Sequence, residues 1–141
     1  MKRLFLLSAA LLLALSACNA KASAPAKKSA QELLAQDTAD YFVADEDFVA
    51  TNFGCHDYLV SAKVYLSKSG DGREFGFFEL TDREYSVQMQ QIIKDYLASE
   101  EQSIRSLAAL YPADELQARL ARFAKATVAS EGVLVYYVLT D

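Results

Sequence analysis

Three neighbouring residues, Cys55-His56-Asp57, carry the side-chain types that a thiol nucleophile, its base and an orienting acid would use. Their spacing defeats that chemistry. Neighbours on an extended chain point to opposite faces, whereas nucleophile and base must meet at hydrogen-bond distance, and His56 is the only histidine. The trio also lacks the paired spacings of a zinc site. Asp45-Glu46-Asp47 is a short acidic run that reads as a solvated loop, because a calcium loop spreads its ligands over about a dozen residues around a glycine. Gly70 and Gly72 sit in a hairpin turn with no helix amino terminus beside them to hold a phosphate. The residues thus imply no metal or other cofactor and no converging catalytic set. Cys55 reads as a small packed hydrophobe.

Cys18 is different. Lys2 and Arg3 give a positive start, residues 4–14 are apolar apart from Ser8, and Leu15-Ser16-Ala17 leads directly into Cys18. The apolar stretch is shorter than the roughly 20 residues a helix needs to cross a bilayer, but it has the size of a signal-peptide core. Small residues immediately before a cysteine resemble the bacterial lipobox, whose thiol accepts diacylglycerol before the signal is removed. That resemblance implies cleavage before Cys18 and lipidation of Cys18. Each buried methylene contributes about 0.8 kcal/mol, so two or three acyl chains make such an anchor effectively permanent.

Charge is unevenly spread along the 141 residues, whose net charge is −5. Lys21, Lys27 and Lys28 fall in a stretch without acids, while residues 29–141 hold nine basic and 19 acidic residues, a net −10. Lysines near anionic headgroups gain about 1 kcal/mol each. The pattern predicts a basic tether over 18–28 that lies on the membrane and an acidic domain over 29–141 that stands off it. Nucleic acid is a poor partner for such a domain, since phosphates need a basic face.

The elements that would position these residues follow from periodicity. Residues 29–36 have helix formers with Leu33 and Leu34, and predict a short helix. Residues 44–54 read as a turn of helix and a loop ending at Gly54. Residues 57–67 alternate with period two, Tyr58, Val60, Ala62, Val64 and Leu66 on one side. Ser69-Gly70-Asp71-Gly72 closes a hairpin with residues 73–81. Thr81-Asp82-Arg83-Glu84 reads as a capping box, ahead of a helix bearing Tyr85, Met89, Ile92, Ile93 and Tyr96, which either runs on through Ile104 and Leu107 as one long helix with an irregularity or breaks at Ser99, where Ser99-Glu100-Glu101-Gln102 offers a second capping box. Pro112 suits the first turn of another helix, with Leu116, Leu120 and Phe123 as its stripe. Residues 126–129 and 133–139 predict a second hairpin, its last strand apolar on both faces and hence interior. The expectation is an α+β fold: a four-stranded antiparallel sheet of two hairpins, two long helices between them, and a short N-terminal helix.

One side of this sheet should carry Tyr65, Phe75 and Phe77, joined by Tyr136 from the last strand. Either the N-terminal helix covers it with Leu33 and Leu34, the commoner arrangement for a sheet, or it is a candidate partner-binding face.

Residues 43–140 resemble an uncharacterised family of small bacterial lipoproteins, catalogued only as a domain of unknown function. The resemblance lies in Tyr65-Leu66-Ser67, in Glu74-Phe75-Gly76-Phe77-Phe78-Glu79, in Tyr111-Pro112-Ala113-Asp114-Glu115, and in Gly132 with the closing apolar strand. It implies a lipidated, exported chain and no established catalytic residue; where the family tends to have an aliphatic residue this chain has Cys55. The functional expectation is a lipid-anchored, extracytoplasmic, non-catalytic binding or accessory module of the cell envelope, partnered by the membrane through Cys18 and by an envelope protein. The competing reading is an envelope enzyme or small-ligand carrier with a site built from Asp57, Glu79 and Asp82.

Overall fold

A computed structural model describes residues 29–141; Cys18 and the stretches expected to be a signal segment and a tether lie outside them. The fold is α+β, an antiparallel sheet with helices on both faces. The expected four strands are corrected to five. In chain order the elements are α1 (Ala30–Leu34), β1 (Tyr41–Val43), α2 (Glu46–Phe53), β2 (Leu59–Ser67), β3 (Glu74–Leu80), α3 (Ser86–Ser106), α4 (Ala113–Lys125), β4 (Thr127–Glu131) and β5 (Leu134–Leu139). The strand order is β1-β2-β3-β5-β4. The doubly apolar β5 is therefore interior, between β3 and β4.

The β2–β3 hairpin turns where Gly70 and Gly72 take positive φ (67° and 84°), a region that side chains with a Cβ avoid. Asp71 stiffens the turn by accepting from the Arg73 amide (3.0 Å) and guanidinium (2.7 Å). Helix α4 then clamps it: Arg119 donates to the Gly70 carbonyl (2.6 Å) and Arg122 to that of Asp71 (2.7 Å). Arg122 also reaches Asp141 (2.8 Å), tying the chain end to the same corner.

One sheet face lies beneath α2, α3 and α4. Helix α3 runs unbroken for 21 residues and presses Met89, Ile93, Tyr96 and Leu97 against Val64, Phe78, Val135 and Tyr137. Its spacing of three and four residues gives one apolar stripe. The entry to α3 departs from the sequence expectation. Asp82, not Thr81, caps a short 3-10 turn (Arg83–Tyr85) by accepting from the Glu84 amide (2.9 Å), and α3 begins after it. At Gly76 a Cβ would stand 2.5 Å from the Tyr137 ring. Glycine in mid-strand here makes room for the largest buried side chain of the core.

The opposite face carries Phe75, Phe77, Tyr136 and Tyr41, and α1 closes it with Ala30 and Leu33. Ser29 and Glu32 form a reciprocal capping box. Glu131 fixes the helix to the sheet, accepting both the Ala30 amide and the Tyr136 hydroxyl at 3.1 Å. Five residues make a marginal helix on their own, so burial of Leu33, worth about 2 kcal/mol, is what keeps α1 in place.

A bulge separates Leu59 from Ser61, shifting the register of β2 on β3. Leu59, not Val60, therefore joins Ala62, Val64 and Leu66 on the helix-covered face, and Val60 is left 59% exposed. Bulges commonly re-aim a side chain in this way near sheet edges.

Candidate functional site

Along its outer edge β2 is only half paired. Strand β1 meets Tyr65, Leu66 and Ser67, and the Ala44 amide then donates to the Val64 carbonyl (2.8 Å). At Asp45 the chain leaves the sheet, because the Asp45 carboxylate accepts from the Phe48 amide (2.8 Å) and starts α2. Residues 59–63 of β2 thus have no neighbour on that side among the described residues. In an antiparallel strand alternate residues direct their amide and carbonyl to the same side. Ala62 is in phase with Val64, so its amide and carbonyl point off the open edge, and no described residue partners them.

Helix α2 stands across from this edge, and the two enclose an open groove of about 490 Å³. Val49 and Ala50 form the helical wall, and Val60, Ser61 and Ala62 the strand wall. Asp45 and Glu46 lie at one end and Gly54, Cys55 and His56 at the other. The helix is held by Phe53, fully buried against Phe78 (4.8 Å between ring centres) and Tyr96 (4.6 Å), so this wall is rigid.

The far end is shaped by Gly54, whose φ of 81° ends α2. A Cβ there would stand 2.8 Å from His56 Nε2. The His56 ring folds back so that Nε2 lies 3.0 Å from the Phe53 carbonyl. A carbonyl can only accept, so Nε2 carries the proton. The ring stacks on Tyr58 (4.8 Å), which stacks on Tyr85 (4.7 Å); burial raises the Tyr58 pKa above its usual 10.0. His56 is thus a wall, with its Nε2 already engaged. Cys55 is exposed, which corrects its reading as a packed hydrophobe.

The candidate aromatic face is not open. Phe75 is 0%, Tyr136 3% and Phe77 6% exposed, all beneath or beside α1, while Tyr65 is half-buried and stacks on Phe75 (4.7 Å). The structure does bring these four together, as one cluster, and Leu33 covers it while Leu34 faces solvent. The scattered acids form no site either. Glu79 is exposed and accepts from Ser61 (3.1 Å), Asp82 caps its turn, and Asp57 is exposed. Among the described residues no three His, Cys, Asp or Glu side chains are grouped to hold a metal ion.

Sequence reasoning missed one buried polar group. Glu74 begins β3 on the helix-covered face and is 9% exposed. It accepts from the Tyr96 hydroxyl (3.1 Å), and the Tyr137 hydroxyl, close enough to favour the charged carboxylate, falls short of good hydrogen-bond geometry. Burial, with a smaller push from Glu100, raises its pKa from 4.5 to about 7, against the pull of the tyrosine hydroxyls. The phase of Glu74 with Gly76, Phe78 and Leu80 was the available signal. It is enclosed beneath α3, with no opening to the groove among the described lining residues.

No helix among the described residues is long and apolar enough to cross a membrane. Comparison with protein-family models, curated proteins and solved structures yields no match.

Proposed function

We propose that this chain is a lipid-anchored, extracytoplasmic lipoprotein whose domain is a non-catalytic binding or accessory module of the cell envelope, and that the groove between α2 and the open edge of β2 is its binding site. The observation that carries the binding reading is the unpartnered Ala62 amide and carbonyl on a strand edge facing a rigid helical wall. A backbone edge left exposed invites pairing with another chain. The anchor is supported by Lys2 and Arg3, the apolar core of the first 14 residues and Ser16-Ala17-Cys18.

The fold supports a binding role in a second way. The side chains that line the groove offer apolar surface, two carboxylates, a hydroxyl, a thiol and an imidazole whose Nε2 is held by the Phe53 carbonyl, a mixed surface that an extended chain can contact. The two cysteines make a direct test of the anchor. In the native protein, a thiol reagent applied without denaturant should label Cys55 alone, at one thiol per chain, and palmitate fed to growing cells should label the chain through Cys18. Two reactive thiols, or palmitate labelling that survives Cys18→Ser, would overturn the anchor.

A further inference from the structure

The open edge of β2 specifies the geometry of its occupant. A group that pairs with both the amide and the carbonyl of Ala62 must turn its own carbonyl and amide toward them from a backbone about 4.8 Å out from β2, which is the position of a neighbouring strand. That line is already begun by β1, which pairs with Tyr65 to Ser67 and then turns away at Asp45. The space it vacates beside residues 59–62 is the groove.

The walls specify the side chains. An extended occupant turns alternate side chains toward and away from α2. Those on the inner side meet Val49 and Ala50, which suit small or β-branched apolar groups. At the rim stands Glu46, exposed and in no ion pair among the described residues. No lysine or arginine lines the groove, and residues 29–141 carry a net −10. Both fields draw in a cationic segment.

We infer that an extended, lysine- or arginine-bearing segment of a partner protein adds to the free edge of β2 as a sixth strand, its apolar side chains against Val49 and Ala50 and a cation beside Glu46. This rests on the reading of the groove as a binding site and names its ligand class. The mode is strand addition, in which main-chain bonds give affinity and alternate side chains give choice.

Three labelled nonapeptides test it against the full chain held in a non-ionic detergent: Lys-Val-Thr-Val-Lys-Val-Thr-Val-Lys, the same peptide with glutamate for every lysine, and the lysine peptide methylated on every backbone nitrogen. Fluorescence anisotropy reads affinity and amide hydrogen exchange reads the site. The lysine peptide should bind saturably and slow exchange across residues 60–64. The glutamate peptide should bind about tenfold more weakly or worse, the methylated one should not bind, and Glu46→Lys should weaken the lysine peptide about fivefold or more. Equal binding of the glutamate peptide, or indifference to Glu46→Lys, removes the basic partner but leaves the groove as a site. Equal binding of the methylated peptide removes strand addition and likewise spares the groove. Protection of 60–64 that appears with protein concentration alone replaces the partner by a second copy of this chain. Failure of every peptide to protect 60–64 overturns the inference and the groove reading together.

Discussion

Replacing Glu74 with glutamine should stabilise the domain at neutral and alkaline pH and remove a slope from its stability curve. Glu74 is 9% exposed, and among the described residues no cation pairs with it. Burial holds its pKa at about 7 against the ordinary 4.5. A carboxyl whose pKa is raised on folding keeps a proton that the unfolded chain gives up. Stability must therefore fall as pH rises from about 4.5 to about 7, and level off above that. At about 1.4 kcal/mol for each tenfold change in proton affinity, the full loss is about 3 kcal/mol, a large share of the 5–15 kcal/mol typical of a domain. Below pH 4.5 the group is neutral in both states and the loss is absent.

Glutamine is neutral throughout. It keeps a carbonyl that can accept from the Tyr96 hydroxyl, which lies 3.1 Å from Glu74 Oε2. Its amide NH2 takes the place of a carboxylate oxygen beside the Tyr137 hydroxyl and can donate to that oxygen. Urea unfolding of Glu74→Gln and the unsubstituted protein between pH 4 and pH 8.5 measures the difference directly, since all other titrating groups cancel. The variant should gain about 3 kcal/mol at pH 8 relative to its advantage at pH 4. A difference that stays flat across that range would show that Glu74 is hydrated or paired in solution, and the buried-carboxylate reasoning would fail.

Two further substitutions probe the two faces of the sheet. Leu33→Ala removes the main apolar contact of α1 and should cost about 2–4 kcal/mol, with a rise in hydrophobic dye binding as Phe75, Phe77 and Tyr136 are uncovered; unchanged dye binding and stability would mean that α1 does not seal that face. Gly76→Ala places a methyl where the Tyr137 ring and Val64 Cγ2 stand 2.5 and 3.2 Å away, and should cost about 2–3 kcal/mol by overpacking, measured by thermal or urea unfolding. A neutral outcome would mean that the Tyr137 ring can shift aside at little cost.

Much of the sheet was legible because period-two alternation is a strong signal and turn glycines bound it. The Gly70–Gly72 turn located the β2–β3 pair, and the two-sided apolarity of 133–139 correctly put β5 inside. What failed was whatever depends on a single residue's position. Strand β1 is three residues, Tyr41–Val43, too short to show any period, and its pairing with β2 is set by tertiary contact alone. The bulge at Val60 was invisible because residues 58–66 alternate smoothly on paper; only the register against β3 reveals that Leu59 takes the inward place. Cys55 looked like a core residue because free cysteines usually are, yet it follows a glycine at positive φ that turns the chain outward. The aromatic side was identified correctly as a cluster, but whether it was covered depended on one leucine in a five-residue helix.

The candidate site was illegible for a more general reason. An open strand edge is a property of which backbone groups lack a neighbour, and the sequence encodes side chains. The residues that make the edge, Val60, Ser61 and Ala62, are unexceptional strand formers, and nothing in their types differs from the paired half of β2. What frees them is remote: Asp45 accepts the Phe48 amide, converts the continuing strand into α2, and leaves its former line empty. By its residue types the acidic run at 45–47 is a solvated loop, yet its first member ends the strand and its second stands at the groove's rim. One capping carboxylate thus both terminates β1 and creates the groove. A chain that continued β1 past Asp45 would close the sheet edge and lose the groove with it.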